Sequence, residues 1–415
     1  VNKNIISSGS KLMKKIYLSE PSVLCGAGSS GNELWQSVTS GNQSGIKKVS
    51  ALNEKSFFVG QVNDSVLKET SSKYKMRIMS LEETALLGLE KQINLAKSKY
   101  SADRIGVCVG SCDNGTELSL AGHRKYFSDG VFPKDYSLEI QGADYVSTFI
   151  AEKYGLKGPT LTFSTACSSS AGAIIKAAEL IKSGICDAVI AGGVDIASNT
   201  VLMGFDSLEA VSSEVTNPFS ANRHGITLGE AAAFFVVTAD KLDEVSSSVE
   251  LLGYGESADA YHMTSPDPSG VGAACAMEQA LARGNLKPSE IDYVNLHGTG
   301  TKFNDSMEAK AVDSVFGNYK VPVSTTKPMT GHTLGAAGAL EAAICYFAIV
   351  NKQAKNKDEI KLPVQVWDGV QDSELPVLNF VGKDNKWENT RKVKICMSNS
   401  FAFGGANSCL IIGIK

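Results

Sequence analysis

Two stretches of this sequence share one grammar: Leu161-Thr-Phe-Ser-Thr-Ala-Cys-Ser-Ser-Ser-Ala-Gly-Ala and Val321-Pro-Val-Ser-Thr-Thr-Lys-Pro-Met-Thr-Gly-His-Thr-Leu-Gly-Ala-Ala-Gly-Ala. Each reads as a short apolar strand, a polar hinge, and a helix whose first turns carry only small side chains. Small side chains let a helix approach its neighbours closely, so both helices are expected to be buried. The echo predicts two similar halves meeting at a shared centre, with a boundary near Val245 to Glu250.

Working outward, the same pattern of apolar runs bounded by glycine or turn residues recurs between segments of helical period. Ile105 to Val109, Thr160 to Phe163, Ala188 to Ala191 and Ala232 to Val237 read as strands in the first half. Ile291 to Leu296, Val321 to Ser324 and Val393 to Ser398 do so in the second. Continuous apolar strands alternating with helices indicate an α/β protein whose sheets are covered on both faces. A helix is expected from about Leu81, with Ser80 and Glu83 spaced as a capping box and Leu81, Ala85, Leu89 and Ile93 on one stripe.

Composition bounds the function. The chain has 415 residues, 43% hydrophobic and 20% charged, enough for a large core and incompatible with a disordered chain. Its 40 basic and 44 acidic residues give a net charge of -4, unlike the strongly basic footprint of a nucleic-acid binder. No run approaches the roughly 18 apolar residues of a membrane span. Residues 1–12 are polar and lack an apolar secretory core, so they read as a leader or expression remnant, with Met13 as a start. Nine scattered cysteines form neither zinc knuckles nor a disulfide framework, which points to a reducing cytoplasm.

One thiol differs from the others. Cys167 follows a strand and opens a helix, where N-terminal amides favour an anion and can lower a thiol pKa. A cysteine in such a turn is by itself more often a buried hydrophobe. Two of the five histidines, however, also sit in glycine-rich contexts just past strands: His297 in Asn295-Leu-His-Gly-Thr-Gly-Thr and His332 in Lys327-Pro-Met-Thr-Gly-His-Thr-Leu-Gly. Such loops deliver side chains to strand ends, where α/β sites lie.

These motifs, with Thr165-Ala-Cys-Ser-Ser-Ser and Ser398-Asn-Ser-Phe-Ala-Phe-Gly-Gly-Ala-Asn, resemble those of the elongating β-ketoacyl-acyl-carrier-protein synthases, a branch of the thiolase superfamily. The resemblance runs from about Lys14 to Lys415. It implies two βαβαβαββ halves, 13–248 with the nucleophile and 249–415 with both histidines, forming a five-layered αβαβα core. It implies an acyltransferase that condenses malonyl-carrier with an enzyme-bound acyl group, extending the chain by two carbons in fatty acid or polyketide synthesis. Cys167 is then the acylated nucleophile, while His297 and His332 bind the malonyl thioester carbonyl and stabilise the enolate.

The resemblance also implies an ion pair of Lys327 with Glu308 beside the histidines, and an oxyanion hole at the backbone of Cys167 and Phe403, with Phe403 as an aromatic gate. Thr299 and Thr301 match hydroxyls that bind the phosphopantetheine arm. Lys73, Lys75 and Arg77 match a basic patch for an acidic carrier protein. Asn295, Glu341, Ser398 and Asn399 match positions that hold a structural monovalent cation in some members, and no catalytic metal is implied. No tightly bound cofactor is expected, because phosphopantetheine arrives on the carrier. The implied assembly is a homodimer, or a heterodimer with a chain-length subunit.

The sequence departs from the pattern at Asp113, where elongation enzymes place an apolar residue in the acyl pocket, at Lys302 and Phe303 after the first histidine motif, and at His224. With Trp367-Asp-Gly these choices stand closer to specialised synthases, such as those building aryl polyene pigments. A degradative thiolase needs a second reactive cysteine, and initiating synthases use Cys-His-Asn, so two matched histidines disfavour both. A noncatalytic chain-length subunit lacks the nucleophile, against which Cys167 argues. That subunit and a thiolase-like acyltransferase stand as the alternatives, and a cysteine hydrolase lacks its orienting Asn or Asp motif.

Overall fold

The apolar strands are buried along their whole length, and successive residues alternate between two faces to build the layers. The computed structural model describes residues 14–51, 54–134, 136–242, 248–350, 360–384 and 393–415. The expected leader, Met13 and part of the expected half boundary lie outside the described residues. In the first half the strands are β1 (Ser22–Cys25), β2 (Ile105–Gly110), β3 (Thr160–Phe163), β4 (Ala188–Asp195) and β5 (Ala231–Thr238). In the second they are β6 (Glu250–Ala258), β7 (Tyr293–Asn295), β8 (Pro322–Ser324), β9 (Ile395–Phe401) and β10 (Ala406–Gly413).

The two halves repeat one topology. The first runs β3-β2-β4-β5-β1 and the second β8-β7-β9-β10-β6, joined into a twelve-stranded sheet through the short strand Tyr17–Leu18, with Asn379–Phe380 added beside β8 at one edge. In each half the first two pairings are parallel and the last two antiparallel. Helices α3 (Ser169–Lys182) and α6 (Ala337–Val350) pack between the halves, and α1 (Arg77–Lys99) and α2 (Tyr145–Tyr154) cover the outside of the first. Helices α4 (Val271–Gly284) and α5 (Lys302–Phe316) cover the outside of the second. Along β5, Ala231, Ala233, Phe235 and Val237 face the central helices, while Ala232, Phe234 and Val236 face the outer ones, the period-two alternation of a strand buried on both faces. The result is the five-layered αβαβα core that the resemblance implies.

Small residues set the spacing at the centre. A Cβ on Gly110 would lie 2.2 Å from Ser170 N, and one on Gly338 would lie 2.7 Å from Ala171 N, so neither position accepts a side chain without displacing the facing helix. The hinges into α3 and α6 also match, each a 3-10 turn with one non-glycine residue in the left-handed region: Ala166 at φ 50 and Leu334 at φ 53. Strain of this kind persists where the surroundings over-determine it, commonly at functional sites.

Two sequence expectations change. Helix α1 begins at Arg77, ahead of the expected capping box, because the carboxylate of Glu117 accepts its first N–H at 2.8 Å; Glu83 instead bonds Lys153 and Ser71. The predicted stripe of Leu81, Ala85, Leu89 and Ile93 is buried as read. Strand β6 escaped the pattern because Gly253 and Gly255 interrupt it. A Cβ on Gly255 would meet Ala276 O at 1.9 Å, so these glycines admit α4 against the sheet.

Candidate active site

The difference between the two hinges makes the site. From β3 to the left-handed residue Ala166 is a short step, whereas β8 reaches Leu334 through the extra segment that carries Lys327 and His332. Cys167 lies in the first hinge, and His332 Nε2 stands 2.9 Å from its Sγ. His332 is held by backbone bonds on both sides, donating to Thr227 O at 2.7 Å and accepting from Gly229 N at 2.9 Å. The His297 and His332 rings lie 5.3 Å apart, nearly perpendicular. Among the described residues, Cys167, His297 and His332 place one sulfur and two ring nitrogens within 4.8 Å of one another, all three residues buried.

Helix α5 clamps the His297 loop with two acids on one face. Glu308 accepts His297 N–H at 2.8 Å, Gly298 N–H at 2.7 Å and Asn399 Nδ2 at 3.2 Å. Asp305 accepts Thr299 N–H at 3.0 Å and Gly300 N–H at 3.2 Å, and also Phe219 N–H at 2.8 Å. The expected Lys327–Glu308 pair is therefore corrected. Both Glu308 oxygens already take backbone donors, and Lys327 pairs with Glu341 of α6 at 2.5 Å. Its ammonium also donates to His297 O and lies 3.5 Å from His297 Nδ1. An ammonium facing Nδ1 leaves the ring proton on Nε2, toward the cavity.

Burial sets the protonation states. It holds both imidazoles well below their ordinary 6.5, with the Lys327 ammonium adding to the effect, so both are neutral hydrogen-bonding groups. Burial also pushes the Cys167 thiol up to about 12, against the Lys327 ammonium and the N–H groups of Phe403 and of Cys167 itself. The expected lowering by the helix terminus is outweighed, and Cys167 rests as a thiol beside a neutral imidazole. Burial likewise raises Glu308 to about 7, opposed by its backbone and Asn399 donors.

A cavity of about 390 Å³ opens onto these groups, lined by Cys167, both histidines, Thr299, Thr301 and Phe403 among others. The Thr299 and Thr301 hydroxyls lie 3.0 Å apart within it. Phe403 stacks on Phe205 at 5.7 Å, and the turn behind it bends at Gly404, φ 83. The N–H groups of Phe403 and of Cys167 itself both act on the Cys167 sulfur and favour its thiolate.

Asp113 does not line this cavity. Its carboxylate accepts Tyr145 Oη at 2.7 Å, Gly115 N at 2.7 Å and Thr116 Oγ1 at 2.6 Å, so burial leaves it well bonded. The expected basic patch is neutralised. Arg77 binds Glu230 and Asp64, both at 2.6 Å, and Lys73 binds Glu139 at 2.6 Å. Lys75 donates to Thr70 O at 2.6 Å, with Glu69 at 4.0 Å. Arg77 serves the site differently, because Glu230 adjoins the segment that bonds the His332 backbone.

The four positions matched to a monovalent cation share one property. Asn295 Oδ1, Glu341 Oε2, Ser398 Oγ and Asn399 Oδ1 are buried, with no hydrogen-bond partner among the described residues. Oxygen donors including a carboxylate suit a hard cation. Sequence reading missed Asp305, although its three-residue spacing from Glu308 is a helix-face signal. It also missed Asp195, which accepts Cys112 N at 2.9 Å and Gly335 N at 2.7 Å and ties the loop after β2 to the hinge into α6. No motif marks that link.

Residues 22–242 match the profile described as the beta-ketoacyl synthase N-terminal domain, and residues 249–357 match its C-terminal domain. The chain is similar to 3-oxoacyl-[acyl-carrier-protein] synthase 2 of Coxiella burnetii, 32% identical over 96% of this chain and 98% of that protein. Among solved structures it is similar to a ketosynthase in complex with its chain length factor from Xenorhabdus doucetiae, TM-score 0.87 and 35% identity over 98% of this chain and 100% of that one. It is also similar to the ishigamide ketosynthase/chain length factor, TM-score 0.83 and 25% identity over 97% and 100%.

Proposed function

The chain belongs to the β-ketoacyl synthase family, and from that premise we propose how its residues carry out the decarboxylative condensation of malonyl-carrier with an enzyme-bound acyl group. The observation that carries the reading is the convergence of one thiol and two neutral imidazoles at the floor of one cavity. In the first half-reaction Cys167 Sγ attacks the acyl-carrier thioester. Its proton leaves with the carrier thiol, and His332 Nε2 is placed to relay it. His332 Nδ1 has no hydrogen-bond partner among the described residues, so neither ring tautomer is locked. The Cys167 and Phe403 amides receive the tetrahedral oxyanion.

In the second half-reaction the malonyl thioester carbonyl faces His297 and His332. The bond to the carboxylate breaks, carbon dioxide leaves, and the electron pair forms an enolate whose oxygen accepts from both Nε2–H groups. The enolate carbon attacks the acyl-Cys167 carbonyl, the carbon–sulfur bond breaks, and the departing Sγ takes up a proton drawn from water, with His332 Nε2 placed to relay it. The product is a β-ketoacyl-carrier two carbons longer. Decarboxylation makes the carbanion without a strong base, which suits histidines held neutral by burial. Lys327 and Glu308 position His297, one at its carbonyl and Nδ1 and the other at its amide.

The atoms balance among thioesters, so this course uses no resident cofactor. The oxygens of Asn295, Glu341, Ser398 and Asn399 would hold a structural monovalent cation, balancing charge beside Lys327 without entering the reaction. Thr299 and Thr301 take the pantetheine amides. The working unit is a dimer, and pairing with a chain-length subunit is favoured by the two solved relatives described with a chain length factor. Among the described residues no helix is long and apolar enough to cross a membrane. A reducing, cytoplasmic setting suits nine free thiols. The departures at His224, Lys302 and Phe303, which line the cavity, support a specialised polyene or polyketide substrate. Incubation with malonyl-carrier and a panel of saturated, unsaturated and aryl acyl-carriers, read by product mass, tests the reading. A β-ketoacyl product from at least one primer is expected, and none from any primer would overturn it.

A further inference from the structure

Asp195 closes β4, is 1% exposed, and takes no part in the steps of the condensation. Its Oδ2 accepts Gly335 N at 2.7 Å and Cys112 N at 2.9 Å, and its Oδ1 accepts Ser111 Oγ at 3.4 Å. Gly335 directly follows Leu334, the left-handed residue of the hinge between His332 and α6. A Cβ on Gly335 would lie 2.6 Å from Asp195 Oδ2 and 2.9 Å from Cys112 N, so the three groups meet in contact that leaves no room for a side chain.

Cys112 carries that contact to the other hinge. The residue is exposed, yet its sulfur is engaged: Sγ donates to Ala166 O at 3.3 Å and lies 3.7 Å from Ser169 Oγ. Ala166 is the left-handed residue of the first hinge, and its carbonyl belongs to the peptide bond of Cys167. Ser169 Oγ donates to the same carbonyl at 2.6 Å. Desolvation of the sulfur, with the Asp195 carboxylate and the Cys167 sulfur adding to it, holds the Cys112 thiol well above its ordinary 9.0, so it stays an S–H donor rather than a second nucleophile.

We propose that Asp195 and Cys112 are positioning residues for the reaction: they form one strut between the Leu334 and Ala166 hinges and so set the 2.9 Å contact of His332 Nε2 with Cys167 Sγ. A non-glycine residue in the left-handed region costs about 1–3 kcal/mol, so each hinge keeps its shape only where its neighbours fix it. At Leu334 the following amide is fixed by a carboxylate, and at Ala166 the carbonyl is fixed by two side chains. Cys112 joins the two ends through its own N–H and S–H. Cutting the strut lets one hinge relax and moves a reacting group away from its partner.

This inference rests on the reading that Cys167 is acylated with His332 beside it. The test is single-turnover acylation of the full chain by acyl-carrier, followed by intact mass across carrier concentrations. Asp195→Ala should lower the maximal rate about tenfold, the effect of losing about one hydrogen bond, and leave the half-saturating concentration unchanged. Asp195→Asn keeps an acceptor oxygen for both amides and should recover most of the rate. Cys112→Ala should lower the maximal rate about threefold, since Ser169 still holds Ala166, and Cys112→Ser should recover it. The double alanine variant should be no slower than Asp195→Ala, because both changes cut the same strut, whereas independent roles would multiply to about thirtyfold. Cys112 is exposed, so its variants test the strut even where Asp195→Ala does not fold. Multiplied losses, losses carried by half-saturation alone, or an unchanged rate in Cys112→Ala would overturn the proposal and leave the condensation reading intact. Wild-type protein whose Cys167 takes no acyl group from any carrier would sink that reading, and the proposal with it.

Discussion

The Lys327–Glu341 pair offers the sharpest separation between folding and catalysis. Lys327 is 1% exposed and Glu341 3%, and their side chains meet at 2.5 Å in the layer between the two sheet halves. Replacing either residue alone leaves the other charge buried without a counter-ion, which costs about 3–5 kcal/mol. Lys327→Met and Glu341→Met should each lower unfolding free energy by that amount in urea titrations. The double variant removes both charges together and should recover most of the loss, giving a coupling of about 3 kcal/mol. Lys327 and Glu308, the pair that the family resemblance implies, should couple more weakly, since Glu308 serves backbone donors and Asn399. Stability recovered in the double variant does not restore the ammonium at His297, so kcat for condensation should stay down by about 10²-fold, the effect of disturbing one oxyanion donor. Additive losses for Lys327 and Glu341, or a Lys327–Glu308 coupling as large, would refute the pairing. A double variant with full activity would refute the positioning role of Lys327.

Further outcomes follow from the same geometry. His297→Ala should keep Cys167 acylation and lose condensation by about 10²–10³-fold, whereas His332→Ala should slow both, because only His332 bonds the sulfur at 2.9 Å; single-turnover mass spectrometry separates the steps. Burial and Lys327 hold both histidines below 6.5, so in acid the unfolded chain takes up protons that the folded chain refuses. Their contribution to stability is thus present above pH 6.5 and lost as pH falls below it, and the condensation rate should show no histidine inflection near 6.5. Because burial lifts the Cys167 thiol to about 12, alkylation of the free enzyme by iodoacetamide should still be rising at pH 9 rather than levelling off near neutrality. Gly404→Ala places a side chain at φ 83, a strain of about 1–2 kcal/mol, and should slow acyl-Cys167 formation about tenfold by displacing the Phe403 amide.

Much of this architecture was legible in the chain. The echoed strand, hinge and small-residue helix marked two halves, and both adopt one strand order with matched left-handed hinges. Cys167, His297 and His332 were readable as a set because each follows a strand, and strands end at one edge of the shared core. Charge pairing was not readable. Glu308 and Glu341 are both acids on helices near Lys327, and only the tertiary packing of α6 decides which one meets the ammonium. The bases near Lys75 looked free because their partners, Glu139 and Glu230, are distant in sequence. The thiol pKa went the other way for a similar reason: a helix terminus is visible in sequence, whereas the depth at which it is buried is not.

The central claim is that Cys167 holds the acyl group that the two histidines then extend. Intact-mass and peptide mapping of the protein after acyl-carrier alone, then after malonyl-carrier, tests it most directly. One acyl group on the Cys167 peptide, discharged on malonyl addition as a β-ketoacyl-carrier and absent from Cys167→Ala, is the predicted result. Acylation mapped to any other cysteine, or full condensation by Cys167→Ala, would contradict it.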